Sequence, residues 1–355
     1  MDSTKNIFFF SRGLGRGHAI PDAAIANDLI AGDPNLKITF FSYGLGCRTL
    51  TDLGFDVMDL ELPDINPVWE TFIKITQIMQ TFRPDLVISH EEATVVPIAR
   101  AFNLPCVFMT DWFLPPELVT MQAIKFADEV LFLDEPGYMD ELPFLQGKIF
   151  YTGAVFRTLD TNSLDRDKSR RKHNFQKEEQ IVLVAPSGAT IHKDTTVSFI
   201  DLTIAAFDNL DFPAKRLVWV ASDQNRNALM EKIQNRDNIS IMDPHYDLPE
   251  TIIASDLVIT NGNRITIMEC EALGVPSISI SYGRNPIDDF RIARVRTNLP
   301  LRAKAVTPQL LGKIMMQTLS EPCLPRAKSI DAISRGRAAA VERLQFHLKR
   351  NTELR

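Results

Sequence analysis

The chain has 355 residues, of which 45% are hydrophobic and 24% charged, and its formal net charge is -6. This length predicts two domains, and the negative charge argues against a general nucleic-acid binder, which needs a basic surface. The apolar run that follows Asn6 is too short for a signal peptide, and no stretch approaches the roughly 20 apolar residues of a membrane-spanning helix. We therefore expect a cytoplasmic protein without a transmembrane segment, and a peripheral membrane contact stays open.

The cysteines and histidines stand in no metal-binding spacing. The four cysteines form no CxxC pair, which is typical of reduced thiols in a cytosolic protein. The six histidines form no HxxxH or HxH pair. We therefore expect no dedicated metal site and no cofactor.

Apolar runs alternate with helical patterns through residues 1–158. Strands are predicted at residues 7–10, 36–42, 55–60, 86–89, 106–110, 129–133 and 149–151, and helices at residues 21–31 and 68–82. Continuous apolar strands between helices indicate a parallel sheet covered on both faces. The apolar side of residues 68–82 is predicted to pack into the core, and a binding groove is the alternative.

Residues 159–180 are rich in charge, so we expect a solvated linker there, with a phosphate-binding role as the alternative. The alternation then resumes. Strands are predicted at residues 181–185, 217–221, 239–242, 256–260 and 277–281, and helices at residues 196–209 and 227–234. The pattern predicts two doubly wound parallel-sheet domains, residues 1–158 and 181–328, facing each other across a cleft. Residues 329–355 are predicted to carry a C-terminal helix, and its return to the first domain stays open.

A glycine-rich stretch, Ser11 to His18 (SRGLGRGH), directly follows the first predicted strand. Glycines at alternate positions let the backbone approach a ligand, so we expect Gly15 and Gly17 to contact one. A dinucleotide loop would need an acid at the end of the second strand, and residues 41–44 (FSYG) contain none. Histidine titrates near neutrality, so His18 can remove a proton from a hydroxyl, and hydrogen bonding at a helix terminus is the alternative.

A second turn of small residues, at 186–190 (PSGAT), follows the first strand of the second half. Free N–H groups and hydroxyls in such a turn can hold a phosphate, so Ser187 and Gly188 are candidate contacts. The chain contains no GxxxxGK[ST] sequence, which excludes a P-loop nucleoside triphosphatase.

The strongest signal lies at Thr260–Pro276 (TNGNRITIMECEALGVP). The pattern predicts a buried strand, a tight turn through Asn263, and a helix that starts near Arg264 and ends at the Gly-Val-Pro sequence. A helix N-terminus after such a turn is an anion site, because free N–H groups point at the ligand. Within the helix, the Glu269 carboxylate can accept hydrogen bonds from vicinal hydroxyls such as those of a ribose.

Two adjacent carboxylates, Asp288 and Asp289, follow the last predicted strand. They either bind sugar hydroxyls or favour a helix N-terminus by their charge, and the sequence leaves both readings open. A metal role is disfavoured because no other acid lies near them in sequence. The Asp-x-Asp pair at 165–167 lies in the predicted linker rather than at a strand end.

Together these motifs resemble the glycosyltransferases of the GT-B fold, and most closely the family 28 branch that contains the peptidoglycan UDP-N-acetylglucosamine transferase. In that branch a glycine-rich loop ending in Gly-His follows the first strand, as Gly13–His18 does here. Its donor domain carries the pattern Ser-Gly-x-x-Thr-x-x-Glu-x-x-x-x-Gly-x-Pro. Gly262 to Pro276 is similar to it, with Thr266 and Glu269 at the matching positions.

The resemblance implies a nucleotide-sugar donor, with a UDP-sugar favoured, and an unknown acceptor that offers a hydroxyl. It places Glu269 on the donor ribose, Thr266 on the phosphates, and the backbone amide of His245 on the base. It also places Asp111 near an acidic position that follows the fifth strand. Asp111 is therefore a second candidate for the general base beside His18.

The departures from the family pattern concern the donor and the acceptor. Arg264 stands where the family has a small residue. Its side chain would either add a contact to the donor phosphates or narrow the donor pocket. Asp288 and Asp289 replace a Gln-Gln pair on the donor sugar, which suggests another sugar or another hydrogen-bond pattern. The acidic net charge fits poorly with a lipid acceptor in a membrane, so we expect a soluble acceptor.

The sequence thus predicts an inverting, metal-independent glycosyltransferase. The alternatives are a nucleotide-sugar hydrolase or epimerase on the same scaffold, with Glu91, Glu92 and Asp111 as further carboxylates. A non-catalytic nucleotide-sugar sensor is a third possibility.

Overall fold

The computed structural model describes residues 4–13, 15–62, 68–114, 116–137, 140–157, 159, 164–186, 193–221, 223–234, 236–245, 247–282, 297–321 and 330–353. The chain divides into two compact units. The first unit comprises Met1–Thr158 and Asp331–Arg355, and the second comprises Leu159–Ile330.

The first unit is built on seven parallel strands. They are β1 (Lys5–Ser11), β2 (Leu36–Ser42), β3 (Val57–Asp59), β4 (Leu86–His90), β5 (Cys106–Thr110), β6 (Glu129–Phe132) and β7 (Ile149–Tyr151). Their order in the sheet is β3-β2-β1-β4-β5-β6-β7. The connecting helices are α1 (Arg16–Gly32), α2 (Gly44–Asp52), α3 (Val68–Thr81), α4 (Val95–Ala101) and α5 (Val119–Ala123).

The strand β1 shows why this sheet forms. Ile7 and Phe9 pack into one apolar cluster, whereas Phe8 and Phe10 pack into the cluster on the opposite face. A strand with apolar side chains on both of its sides is stable only when both faces of its sheet are covered. On α3, Ile75 and Met79 are buried as predicted, whereas Trp69 and Phe72 are exposed, as is Phe82 just beyond the helix.

The second unit repeats this architecture with six parallel strands. They are β8 (Gln180–Val184), β9 (Lys215–Val220), β10 (Ile239–Met242), β11 (Leu257–Thr260), β12 (Ser277–Ser281) and β13 (Asn298–Arg302), in the order β10-β9-β8-β11-β12-β13. The helices are α6 (Arg166–Lys172), α7 (Lys193–Asp208), α8 (Asp223–Lys232), α9 (Leu248–Ala254), α10 (Arg264–Leu273) and α11 (Pro308–Ser320). The prediction of two doubly wound parallel-sheet domains is confirmed.

The charged segment before β8 differs from the predicted solvated linker. Its described part, residues 164–180, belongs to the second unit and contains α6. Arg166 and Arg170 of α6 both pair with Asp256 and donate to backbone carbonyls that end α9. Phe175 is buried in the core of the unit. The charged side chains of α6 therefore form ion pairs and hydrogen bonds within the second unit, a role that composition alone does not reveal.

The last helix, α12 (Ile330–Glu353), belongs to the first unit. Ala340, Leu344 and Leu348, one helical turn apart, pack into the same apolar cluster as Phe9. A Cβ on Gly336 would lie 2.1 Å from the carbonyl oxygen of Ala154, so the helix backbone touches the segment that follows β7. Among the described residues, no helix is long and apolar enough to cross a membrane.

Candidate active site

The strand order of the first unit brings two distant loops together. β1 and β4 are neighbours, with Ser11 opposite His90, and their following loops leave the same edge of the sheet. The strand order changes direction between these two strands, which is where doubly wound sheets bind their ligands. The loop after β1 leads into α1, whose first turn carries His18, and the loop after β4 begins with Glu91.

The glycines of the stretch after β1 have different surroundings: one is packed against backbone, and another faces open space. A Cβ on Gly13 would lie 2.0 Å from the carbonyl oxygen of Tyr43, so Gly13 lets the loop pack against the end of β2. Gly15 is the N-cap residue of α1. Gly17 is exposed, and a Cβ there would meet no described atom within 4 Å. Gly17 therefore leaves space at the position where the sequence predicts a ligand.

His18 is held by a carboxylate that the predicted catalytic pair does not include. Its Nε2 lies 2.9 Å from Oε2 of Glu91, and the two side chains are 24% and 6% exposed. Glu91 has a φ of 59°, in the left-handed region that a residue with a side chain rarely adopts. Such strain persists where surrounding structure enforces it, and it is often found at functional sites.

The surroundings of Glu91 favour its ionised form. Burial alone raises the pKa of this carboxyl, but the charge and hydrogen bond of His18, with further help from His90 and Arg12, bring it well below its ordinary value. Thr110 Oγ1 lies 3.1 Å from Oε1 of Glu91, and Arg12 lies 3.4 Å from Oε2. An ionised carboxylate only accepts hydrogen bonds, so Nε2 of His18 carries the proton in this pair.

A second, deeper pair supports the first. His90 Nδ1 lies 2.6 Å from Asp22, and the Ser11 hydroxyl donates to the same carboxylate at 2.6 Å. Burial lowers the pKa of His90, but the charge and hydrogen bond of Asp22 outweigh it and raise the pKa. The ring of His90 meets that of His18 edge to face, with centroids 4.7 Å apart.

Two more acids lie in this region. Glu92 accepts a hydrogen bond from the Tyr43 hydroxyl at 2.9 Å, and burial raises the pKa of its carboxyl. Asp111, the second predicted base, is half-buried directly after β5, and its charge acts on the buried His90.

Three side chains here are of the metal-ligating kind. Ligand atoms of His18, His90 and Glu91 all lie within 4.8 Å of one another. However, the Arg12 guanidinium contacts the Glu91 oxygen that His18 also uses, and the raised pKa of His90 favours its protonated form, which cannot bind a metal. The group therefore suits proton handling better than cation binding.

A pocket opens beside Glu91 within the first unit. Its empty space, counting the open solvent at its mouth, is about 510 Å³. It is lined by Arg12, Val68, Thr71, Glu91, Glu92, Ala93, Thr94, Phe108, Thr110, Trp112, Leu114, Thr120 and Met121. We call it the Glu91 pocket.

The corresponding edge of the second unit has different contents. β8 and β11 are the neighbours at which the strand order changes direction, and β11 leads through Gly262 into α10. Gly262 has a φ of 99°, which permits the tight turn, and the amide of Asn263 donates to Thr260 at 3.2 Å. Asn263 is the N-cap residue of α10, but its side chain makes no capping hydrogen bond with the described residues.

The predicted donor residues of α10 lie in its first two turns. Arg264 is half-buried at the first position of the helix, and Thr266 is 2% exposed. Glu269 is fully buried, and burial together with its charge raises the pKa of the neighbouring Cys270 thiol. The helix ends at Gly274, which has a left-handed φ of 69°, as the Gly-Val-Pro sequence predicts.

His245 lies beyond β10 in the same unit. Its Nε2 is 3.1 Å from the hydroxyl of Thr251, and that hydroxyl is 3.2 Å from Nε2 of His173. Burial and the charge of His245 lower the pKa of His173. The imidazole of His245 therefore makes its contact inside the second unit. The predicted contact with the nucleobase of the donor involves the backbone amide of His245, not this ring. Ser187, Gly188, Asp288 and Asp289 lie outside the described residues.

Sequence comparison finds N-acetylglucosamine transferases as relatives, although no family model matches the chain. One relative is the UDP-N-acetylglucosamine--N-acetylmuramyl-(pentapeptide) pyrophosphoryl-undecaprenol N-acetylglucosamine transferase of Carboxydothermus hydrogenoformans. It is 27% identical over 295 residues, which cover 77% of this chain and 76% of the relative. The transferase of the same name from Acetivibrio thermocellus is 24% identical over 290 residues, 76% of each chain.

Solved structures with the same fold include transferases and epimerases. The spinosyn forosaminyltransferase SpnP has a TM-score of 0.69 at 13% identity, covering 98% of this chain and all of the other. MurG of Acinetobacter baumannii has a TM-score of 0.60 at 14% identity, covering 98% and 99%. The UDP-GlcNAc 2-epimerase of Neisseria meningitidis has a TM-score of 0.71 at 14% identity, covering 96% and 99%. The chain thus has the GT-B fold, and its relatives in sequence support a glycosyltransferase.

Proposed function

We propose that the chain transfers a sugar from a nucleotide-sugar, with a UDP-sugar favoured, to the hydroxyl of an acceptor, with inversion and without a metal ion. The observation that carries this proposal is the pairing of His18 with the buried, ionised Glu91 at the switch point of the first sheet. The names of the sequence relatives support a UDP-N-acetylglucosamine donor.

In the proposed reaction the acceptor hydroxyl attacks the anomeric carbon from the side opposite the leaving diphosphate. The new carbon–oxygen bond forms as the bond to the diphosphate breaks, so the configuration inverts. His18 takes the hydroxyl proton. Because Nε2 already donates to Glu91, the free nitrogen of the neutral ring is Nδ1. Glu91 then stabilises the imidazolium that forms, and Asp111 remains the second candidate for the base.

The second unit would hold the donor. The open N-terminus of α10, with Asn263 and Thr266, suits the diphosphate, because its amides are fixed before the charge develops. Arg264 at the first helical position adds a positive charge there. Fixed dipoles and this side chain supply the stabilisation that a metal would otherwise give. Glu269 would accept hydrogen bonds from the ribose, and the amide at His245 would read the base.

Four further contacts of the proposal lie outside the described residues. Ser187 and Gly188 would bind the phosphates, and Asp288 with Asp289 would contact the donor sugar. Gly15 and Gly17 would let the backbone at the N-terminus of α1 approach the donor.

The test is a product assay of the purified chain with UDP-, GDP-, ADP- and TDP-sugars, each with and without a panel of alcohols. Sugar transfer that requires both a donor and an alcohol, and that persists with EDTA, supports the proposal. Free sugar formed rapidly without an alcohol, or a C2 epimer of the donor, would instead establish a hydrolase or an epimerase. The stereochemistry of the product, read by the proton coupling at the anomeric carbon, decides inversion.

A further inference from the structure

We propose that the acceptor is an uncharged alcohol with an apolar body, and that it binds in the Glu91 pocket of the first unit. This inference rests on the proposed function and adds the chemical class of the second substrate. It differs from the acceptor in the names of the sequence relatives, which is a pyrophosphoryl lipid.

The wall of the pocket combines polar side chains with a group of apolar ones. Phe108 and Met121 are buried core residues whose side chains reach the lining, and Leu114 is half-buried there. Trp112 adds an aromatic surface. Apolar and aromatic side chains gain free energy when an apolar ligand removes them from water, whereas they offer no hydrogen bonds to a strongly hydrated group.

The pocket is also unfavourable for anions. Glu91 and Glu92 both line it, and each is nearly buried. Arg12 is the one cation among the described lining residues, and its guanidinium already contacts Glu91 at 3.4 Å. An acceptor that carried a phosphate or carboxylate into this space would lose its hydration beside ionised Glu91 without gaining an unpaired cation.

One polar side chain of the pocket, Thr110, connects the Glu91 carboxylate with the backbone of Trp112. Thr110 Oγ1 lies 3.1 Å from Glu91 and 2.6 Å from the carbonyl oxygen of Trp112, and it accepts from the amide of Trp112 at 3.2 Å. The aromatic wall is therefore tied to the carboxylate that holds His18. A hydroxyl group that enters next to Glu91 comes close to the proposed base, while the rest of the molecule lies against Trp112.

The experiment compares three small molecules that share one skeleton. They are 4-methylbenzyl alcohol, 4-(hydroxymethyl)benzoate and 4-(aminomethyl)benzyl alcohol, which are neutral, anionic and cationic near pH 7. Each is titrated against the whole chain without donor, and binding is followed by saturation-transfer NMR. We expect the neutral alcohol to bind at least about tenfold more tightly than the benzoate, which is about 1.4 kcal/mol.

Variants connect the binding to this pocket. Trp112→Ala should lower the affinity for the neutral alcohol severalfold. Val119→Ala, at an exposed position next to the lining residue Thr120, should leave this affinity unchanged. Glu91→Gln should bring the affinity for the benzoate closer to that for the alcohol, because it removes the buried charge. Circular dichroism and melting temperature confirm that each variant folds.

Benzoate or amine binding as tight as that of the alcohol would overturn the inference. Alcohol binding that is insensitive to Trp112→Ala would overturn it as well. The assay contains no donor, so it is independent of the transfer reaction. An alcohol that binds in this way but receives sugar from no donor contradicts the proposed function, not the preference of the pocket.

Discussion

The two units share one strand order but fill their switch points with different chemistry. In the first unit the space after β1 and β4 holds the hydrogen-bonded pair of His18 and Glu91, backed by His90 and Asp22. In the second unit the corresponding loop after β11 holds a glycine turn and an open helix N-terminus. The same backbone plan therefore supports a group that moves protons in one unit and a group that fixes charge in the other.

The largest test of this contrast removes the proposed base. His18→Ala should lower kcat by about a thousandfold, within the range typical of general base catalysis, while donor affinity changes little. Steady-state kinetics and donor titration by calorimetry measure the two quantities. Lys37→Ala, at an exposed position on β2, is the control. Loss of donor affinity with unchanged kcat would reverse the roles given to the two units.

Removing the partner of that base should cost less. Glu91→Gln preserves shape but no longer stabilises the imidazolium, so we expect kcat to fall about a hundredfold. Glu117→Gln, an exposed acid in the same unit, should leave kcat unchanged. Because Asp111 is the alternative base, Asp111→Asn is measured beside it. A larger loss in Asp111→Asn than in His18→Ala would transfer the base to Asp111.

A change in the second unit should affect binding instead. Glu269→Gln should weaken the donor about thirtyfold, equivalent to about 2 kcal/mol, because the hydrogen bonds from the ribose lose a charged acceptor. Glu271→Gln on the same helix is the matched control. Donor affinity is read by calorimetry, and a melting curve shows that the fully buried site still folds. Equal affinity in Glu269→Gln and the control would contradict the ribose assignment.

The smallest expected effect concerns stability and pH in the first unit. Burial raises the pKa of Glu129, but pairing with His347 and Arg343 lowers it overall. A lowered carboxyl pKa stabilises the fold above the unfolded value, near 4.3 for glutamate, and this contribution disappears as the pH falls through the folded value. Glu129→Gln should therefore lose about 1–2 kcal/mol at pH 7, since Arg343 is partly solvated.

Urea unfolding at pH 7 and in acid measures this difference. The gap between the wild type and Glu129→Gln should close in acid, whereas Glu321→Gln, at an exposed position, should match the wild type throughout. If the difference in unfolding free energy were independent of pH, packing of the Glu129 side chain, rather than its charge, would stabilise its contact with Arg343 and His347 of the last helix, α12.

The sequence predicted what depends on local pattern and missed what depends on strand order. The extent of α10 follows from Asn263 and Gly274, which act on neighbouring backbone. The contact of His18 with Glu91 spans 73 positions and exists because β4 lies beside β1. Neither the sequence around His18 nor the sequence around Glu91 indicates that the two residues are in contact. The sequence missed the role of α6 for the same reason, because Arg166 pairs with Asp256, which lies 90 positions away in the chain.

The placement of α12 affects the order in which the protein can be completed. Leu344 and Leu348 close the apolar cluster that contains Phe9 and Ile25, yet they are synthesised after the whole second unit. On the ribosome one face of the first sheet, which α1 also covers, therefore lacks the contribution of α12 while β8 to β13 emerge. The second unit, whose described elements are contiguous in sequence, can finish first. The first part of the chain to be made is thus the last to be finished, and an interrupted translation product would expose that face to chaperones or aggregation.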